Sequence, residues 1–221
     1  MQINKDTLVF GSFSSNPSNL GCERFNKYFT QAGYNAIYKS FKVENFEIAF
    51  EGAVELGFSA VAVSMPFKRV ARDYLLSLDG RAKINSSLYN EVNINTILIL
   101  AKNNFIGLNT DILGIKDYLD SIDFYKRYSG IHIIGNGAYG DSVKKVCIDK
   151  RIAHLRDPNK YQPTDSVKHQ HNFLVFNASP VILEGKNIIN ANTSTETGKQ
   201  LSFYQAQKQL ELYEQNFFSK E

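Results

Sequence analysis

Val63-Ser64-Met65-Pro66-Phe67-Lys68 is the stretch whose reading decides the fold. The apolar run from Ser59 to Val63 predicts a buried strand, and Pro66 stops it, because proline has no N–H to give to a sheet ladder. Lys68 then falls at the C-terminal edge of a strand, where open α/β sheets hold their ligands. Taken alone, this spacing is that of an ordinary strand-to-helix turn with a solvated Lys. A second stretch, Gly107-Leu108-Asn109-Thr110-Asp111, ends another apolar run in a carboxylate. A Lys and an Asp at the mouths of two strands can share a proton with a substrate hydroxyl between them.

Working outward, strands and helices alternate. Thr7 to Phe10 reads as a strand and Gly11 to Gly21 as a long turn-rich loop. A helix with Phe25, Tyr28 and Phe29 at helical spacing stops at Gly33. Tyr34 to Val43 is a second strand; Phe46, Ile48, Ala49, Val54 and Leu56 make an amphipathic helix ending at Gly57; Lys68 to Leu78 is a third helix. This alternation predicts a mostly parallel sheet covered by helices. Asp79 to Val92 is irregular and polar, and Asn95–Ala101 with Phe105–Leu108 reads as a hairpin. A domain boundary is placed after the start of the helical pattern Ile112, Leu113, Ile115, Tyr118 and Leu119.

A second unit opens with the buried strand Ile131-His132-Ile133-Ile134, running into Gly135-Asn136-Gly137-Ala138-Tyr139-Gly140 and a helical stretch from Asp141 to Lys150. A glycine pattern between strand and helix has the context of a dinucleotide site, with Gly135, Gly137, Ala138 and Gly140 approaching the pyrophosphate. A tight turn without a ligand has the same residues. Arg156 follows the short strand Ile152 to Leu155, where a ribose reader belongs; an Arg there suits the 2′-phosphate of NADP, and the adjacent Asp157 leaves NAD open. Phe173 to Phe176 runs into Asn177-Ala178-Ser179-Pro180, a loop expected beside the nicotinamide. Gly198 to Phe218 reads as a long helix carrying Gln205 within its apolar pattern.

Composition narrows the function classes. The chain has 221 residues with a net charge of +3, and no run of Lys or Arg builds a nucleic-acid or membrane surface. Cys22 and Cys147 lack C-x-x-C spacing and read as reduced thiols, not a zinc site or disulfide framework. No apolar run approaches the ~20 residues of a span, and no signal segment is evident. These features predict a soluble cytoplasmic protein with no metal site and no nucleic-acid or membrane partner.

In order, the motifs V-S-M-P-F-K, N-T-I, N-T-D, G-N-G-A-Y-G, N-A-S-P and a late Q-A resemble the shikimate dehydrogenase family, which reduces 3-dehydroshikimate with NADPH in aromatic amino acid biosynthesis. Pro17-Ser18-Asn19-Leu20-Gly21 resembles its divergent shikimate-dehydrogenase-like branch. The resemblance implies that Lys68 and Asp111 hold the reacting hydroxyl and shuttle its proton. It also implies substrate contacts from Ser64, Asn95, Gln205 and the Asn19 loop, and NADP held by the glycine turn, Arg156 and Asn177. Two departures stand out. Asn19 and Gly21 replace the family's S-x-S, whose hydroxyls bind the substrate carboxylate. The chain between Arg156 and Phe173 is also too short for a further helix-strand unit, which needs roughly 30 residues.

The resulting expectation is an α/β chain with a parallel-sheet substrate domain, residues 1–112 and 195–221, and a reduced Rossmann-like NADP-binding domain over 113–194. The alternative is a substrate-binding pseudoenzyme that has lost hydride transfer. Trimming also predicts apolar surface that a second copy would cover in a homodimer.

Overall fold

The run that contains the opening strand, Phe58–Val63 (β3), is buried at five of its six positions, as a central strand covered on both faces must be. The computed structural model describes residues 3–84, 93–157 and 172–218. Two compact units divide the chain: Met1–Asn109 with Gln209–Glu221, and Thr110–Lys208.

In the first unit, β3 is joined by β1 (Leu8–Ser14), β2 (Ala36–Lys42), β4 (Ala82–Ile84), β5 (Thr96–Ala101) and β6 (Asn104–Leu108), in the order β2-β1-β3-β5-β6-β4. β1 runs parallel to β2 and β3, whereas β5 is antiparallel to both β3 and β6. The sheet is therefore mixed, because the hairpin turns the chain back beside the central strand. β1 is longer than its sequence suggests. Gly11 and Ser12 stay in the ladder, opposite Lys39 and Ser40 on one side and Val61 and Ala62 on the other. A Cβ at Gly11 would lie 2.9 Å from the Phe58 ring, so glycine here makes room for an aromatic instead of opening a loop.

Strand alternation sends Phe10 and Phe13 of β1 to opposite faces. Phe13 joins the core under α2 (Phe46–Glu55) and α3 (Lys68–Ser77), with Phe46, Phe50, Val61, Val63, Leu75, Ile97 and Phe105. Phe10 packs against Phe29 of α1 (Leu20–Ala32) and against Tyr213 near the chain's end. Each such fully buried aromatic contributes about 2–3 kcal/mol of transfer free energy. α1 stops at Gly33, whose φ of 72° is the left-handed cap the sequence predicts. Of the polar segment Asp79 to Val92, residues 85–92 lie outside the described residues.

The second unit contains α4 (Thr110–Ser121), the short α5 (Phe124–Arg127), β7 (Gly130–Ile134), α6 (Ala138–Asp149), β8 (Ala153–Asp157), β9 (Phe173–Asn177) and β10 (Ile188–Asn190). Among the described residues its four strands are all parallel, in the order β10-β9-β7-β8. The strand order reverses between β7 and β9, so the crevice at their C-terminal ends is the switch point where doubly wound sheets bind ligands. Residues 158–171, on which the expected shortening falls, lie outside the described residues.

The last long helix, α7 (Glu196–Tyr213), is followed by a π-turn over Glu214–Phe218, where the sequence predicts one continuous helix. The division between the two compact units falls after Asn109 and after Lys208, inside α7. Within the second unit, α4 meets the first part of α7. A Cβ at Gly114 would lie 2.6 Å from the backbone N of Gln205, so glycine lets the two helix backbones meet. Lys208 pairs with Asp117 at 2.8 Å in the same contact.

Candidate active site

Main-chain bonds collect three of the first unit's predicted site residues, Ser64, Lys68 and Asn95, at one end of the sheet. The Ser64 N–H donates to the Phe13 carbonyl at 2.9 Å, and the Phe67 N–H donates back to the Ser64 carbonyl at 2.9 Å. This turn, which contains a cis Met65–Pro66 bond, sets Lys68 as the first residue of α3. The Ile94 N–H reaches the Lys68 carbonyl at 3.1 Å, and the Val63 N–H reaches the Asn95 carbonyl at 2.8 Å. Lys68, Ser64 and Asn95 thus share the edge at the end of β3. Ser64 is exposed, Lys68 half-buried and Asn95 buried. The first turn of α3 holds Lys68 and Arg69 and no acidic residue. A cation at a helix N-terminus opposes the helix dipole, so helix stability does not account for Lys68.

Asn19 is exposed at the start of α1, where its carbonyl accepts the Glu23 N–H at 2.9 Å and its side chain makes no cap. A Cβ at Gly21 would stand 3.0 Å from the Tyr38 ring, so a serine in this position would press on a buried aromatic. The ring of Tyr38 is itself stacked on Phe25, with centroids 4.4 Å apart.

In the second unit, Asp111 is the second residue of α4, where a carboxylate suits the helix dipole, and it is only 5% exposed. Its neighbour Thr110 accepts a hydrogen bond from Gln205 Nε2 at 2.9 Å. Gln205, expected against substrate, therefore holds the residue beside Asp111. The Tyr139 phenol is raised well above its ordinary pKa, first by burial and then by the charge of Asp111.

The glycine turn lies between β7 and α6. Gly135 has a φ of 111°, and a Cβ there would lie 3.0 Å from the Ala178 carbonyl group in the loop after β9. A Cβ at Gly140 would come within 2.6 Å of the Gly135 carbonyl oxygen, whereas one at Gly137 would meet nothing within 4 Å. Ala138 opens α6 behind Gly137. The turn thus has a closed base and an open crest at a helix N-terminus, which fits the pyrophosphate of a dinucleotide.

Two residues expected at that cofactor are occupied by the fold. Arg156 lies within β8 instead of after it; its Nε and Nη2 donate to the Gly135 carbonyl at 3.2 and 3.1 Å, and Nη1 pairs with Asp141 at 2.9 Å. The guanidinium braces the glycine turn from beneath. Asn177 is fully buried, and its Nδ2 donates to Asn190 Oδ1 at 2.7 Å and to the Val181 carbonyl at 2.6 Å. Its Oδ1 accepts from the Ser179 N–H at 3.0 Å and the Ser179 hydroxyl at 2.6 Å.

Sequence reasoning passed over Thr96 and Gln209. Gln209 Nε2 donates to Thr96 Oγ1 at 2.8 Å, and Thr96 Oγ1 donates to Asn95 Oδ1 at 3.2 Å. The available signal was the recurrence of glutamine four residues after Gln205, which puts both on one helix face. Among the described residues, no group of His, Cys, Asp and Glu is arranged to hold a metal, and no helix is long and apolar enough to cross a membrane.

Residues 19–92 match the family model described as the shikimate dehydrogenase substrate binding domain. A shikimate dehydrogenase-like protein of Haemophilus influenzae is 36% identical over 141 residues, covering 64% of this chain and 49% of that protein. A shikimate dehydrogenase (NADP(+)) of Pyrococcus abyssi is 33% identical over 120 residues, covering 53% of this chain and 42% of that protein. The matched part of the chain thus spans about half or less of the length of these curated relatives. The solved structure of a shikimate 5-dehydrogenase-like protein superposes with a TM-score of 0.76 at 21% identity, covering 100% of this chain and 95% of that one. At that identity the likeness shows the fold.

Proposed function

We propose, from the premise that this chain is a divergent shikimate-dehydrogenase-like protein, that it is an NADP-dependent oxidoreductase acting on shikimate or a related cyclic hydroxy acid. The observation that carries this reading is the edge after β3. There main-chain bonds hold Ser64, Lys68 and Asn95 close together; each corresponds to a substrate-side position of the family, Ser64 and Lys68 inside the region matched by the substrate-domain model and Asn95 just beyond it. Lys68 and Asp111 are assigned the proton of the reacting hydroxyl, which one holds and the other receives. Asn95 and Ser64 read the remaining hydroxyls, a task buried amides perform with high discrimination. Asn19 keeps its assignment to the carboxylate end, where main-chain N–H groups of the loop replace the hydroxyl that Gly21 lacks.

The open crest of Gly137 and the start of α6 are assigned to the cofactor's pyrophosphate, and the name of the Pyrococcus abyssi relative supports NADP. Bound there, the nicotinamide would supply the hydride acceptor. The remaining residues bind, orient and move the proton.

Steady-state oxidation of shikimate and of quinate, each with NADP+ and with NAD+, tests the proposal. The expected result is turnover with NADP+ that collapses in Lys68→Ala. Turnover indifferent to that substitution would remove Lys68 from the chemistry. Shikimate binding in a calorimeter without any NADPH binding would instead identify a binding protein that lacks hydride transfer.

A further inference from the structure

Beside the end of α3 remote from Lys68, the first unit has a cleft of about 470 Å³. Small-molecule sites occupy roughly 300–1,000 Å³. The length of α3 puts this cleft roughly 15 Å from Lys68, at 1.5 Å per helical residue. Phe50 of α2, Tyr74 of α3, Leu78 just after it and Phe105 of β6 give the cleft an apolar floor. The Phe50 ring meets Phe105 edge-on, with centroids 5.3 Å apart, and meets Tyr74 in the same way at 5.9 Å. Phe50 and Phe105 are buried, whereas Tyr74 is half-buried and presents part of its ring.

Four charged side chains line the rim, and only two of them neutralise each other. Lys102, at the hairpin turn, pairs with Glu55 at 2.7 Å. Glu51 accepts a hydrogen bond from the neutral Tyr74 phenol at 3.0 Å. Among the described residues, neither Glu51 nor Arg81 forms an ion pair. The main chain of Arg81 is fixed at the rim. Its N–H donates to the Leu78 carbonyl at 2.9 Å, and its carbonyl accepts the Phe105 N–H at 3.0 Å. Burial, and then the bond to Glu51, push the Tyr74 phenol up to about 12, while the nearby Arg81 charge acts to lower it. An anion and a cation therefore both lie close to this ring. Glu47, one turn before Glu51 on α2, adds to the negative side.

We propose that this cleft binds an α-amino acid with an aromatic side chain. The ring packs on Phe50, Tyr74 and Phe105, where edge-to-face contacts add to burial. The carboxylate goes to the Arg81 guanidinium, whose planar fork suits it, and the ammonium goes to Glu51. A zwitterion matches a rim with one uncompensated charge of each sign. An aryl carboxylate would leave Glu51 facing a like charge, and an aryl amine would do the same to Arg81. A polyhydroxylated acid fits poorly, because the floor is apolar and the Tyr74 phenol is committed to Glu51. The cleft is separate from the β3 edge, so the inference stands whichever reaction that edge carries.

Calorimetry on the full chain tests it, with phenylalanine as the probe and three analogues that each lack one feature. Hydrocinnamate lacks the ammonium, phenethylamine the carboxylate and alanine the ring. Each should bind about tenfold or more weakly than phenylalanine, the scale of a charged hydrogen bond or of ring burial. Arg81→Gln should weaken phenylalanine about tenfold and leave phenethylamine unchanged or tighter. Glu51→Gln should weaken phenylalanine and leave hydrocinnamate unchanged or tighter. Both side chains are exposed, so both variants should melt close to wild type.

Amide NMR shifts on adding phenylalanine give the location. They should centre on Tyr74, Leu78, Arg81 and Phe105, and excess shikimate should leave them in place. Hydrocinnamate or phenethylamine matching phenylalanine would overturn the amino-acid assignment. Shifts centred on Lys68 and reversed by shikimate would move the ligand to the other site and overturn the cleft. Silence in both measurements at about 10 mM phenylalanine would overturn it outright.

Discussion

Asn95 just ahead of β5 and Asn177 at the end of β9 are both buried asparagines, and both carry a ligand-binding expectation from the sequence. Their partners separate them. Asn177 has two donors and two acceptor sites, and Asn190, Val181 and Ser179 take all of them. Asn190 in turn accepts from the Leu183 N–H at 2.9 Å and donates to the Leu183 carbonyl at 3.0 Å. Asn177 is therefore a joint that ties β9, β10 and the intervening loop together. Asn95 is held at its carbonyl end by a hydroxyl that is itself oriented by Gln209. A buried amide whose four bonds all go to the scaffold builds the fold, and Asn95 differs from it in standing beside Ser64 and Lys68 at the end of β3.

The largest expected effect lies on the reading side of this contrast. Lys68→Ala should slow turnover by about 10²–10⁴-fold, the range for removing a positioned acid or base. Its melting temperature should stay near wild type, since Lys68 is half-buried at the head of α3 and heads no apolar cluster. The paired asparagines come next. Asn177→Ala should cost about 1–3 kcal/mol in urea unfolding, because it strands buried groups of Asn190, Val181 and Ser179. Asn95→Ala should weaken shikimate affinity, which Asn177→Ala should leave near wild type. Unchanged affinity in Asn95→Ala would break the distinction between joint and reader.

The sequence announced the element order well, because apolar spacing and stop residues are local signals. Phe25 and Phe29 with Gly33, the hairpin turning near Lys102 and Asn103, and the glycine turn after Ile134 all fall where their spacing puts them. What stayed hidden depends on residues far apart in the chain. Gly11 reads as a loop residue until the Phe58 ring is found against it, and the length of β1 follows from that contact. The role of Thr96 requires Gln209, 113 residues away. Arg156 has the right type and spacing for a 2′-phosphate reader, and its bonds to the Gly135 carbonyl and the Asp141 carboxylate, 21 and 15 residues away, are not written in that spacing. The site's residue types were legible; the assignment of each hydrogen bond was not.

Arg156 extends the contrast to a charged group. As a brace, Arg156→Gln should lower stability by about 1 kcal/mol, a modest value because the Arg156–Asp141 pair is partly solvated. The melting temperature should fall by roughly 2–4 °C, and NADP+ and NAD+ affinity should fall together as the glycine turn loosens. A selective loss of NADP+ binding at unchanged stability would return Arg156 to the 2′-phosphate and erase the contrast for this residue.

The smallest effect concerns a carboxylate of the first unit that is committed to the scaffold. Glu214 accepts from the Tyr28 phenol and from the Tyr34 phenol, the latter at 2.9 Å, and so fastens the π-turn to α1 and its following loop. The bond to Glu214, ahead of burial, raises the Tyr28 phenol to about 12, and the same bond lifts Tyr34. A phenol whose folded pKa is raised keeps its proton better in the folded chain. Its stabilisation is therefore complete below the unfolded value near 10 and is lost as pH climbs towards 12. Removing the charge in Glu214→Gln should shrink the shift, so the melting temperature should decline less between pH 9 and pH 11.5 than in the wild type, from a slightly lower start. Absorbance at 295 nm should show phenolates appearing earlier in the variant. Tyr74 serves as an internal control, since its phenol is also pushed up to about 12, by burial first and then by its bond to Glu51, and the substitution leaves both untouched. An identical alkaline decline in the two proteins would show that the Glu214 bonds do not hold the π-turn, and that aromatic packing such as the stacking of Tyr34 on Phe218, with centroids 3.9 Å apart, fastens it instead.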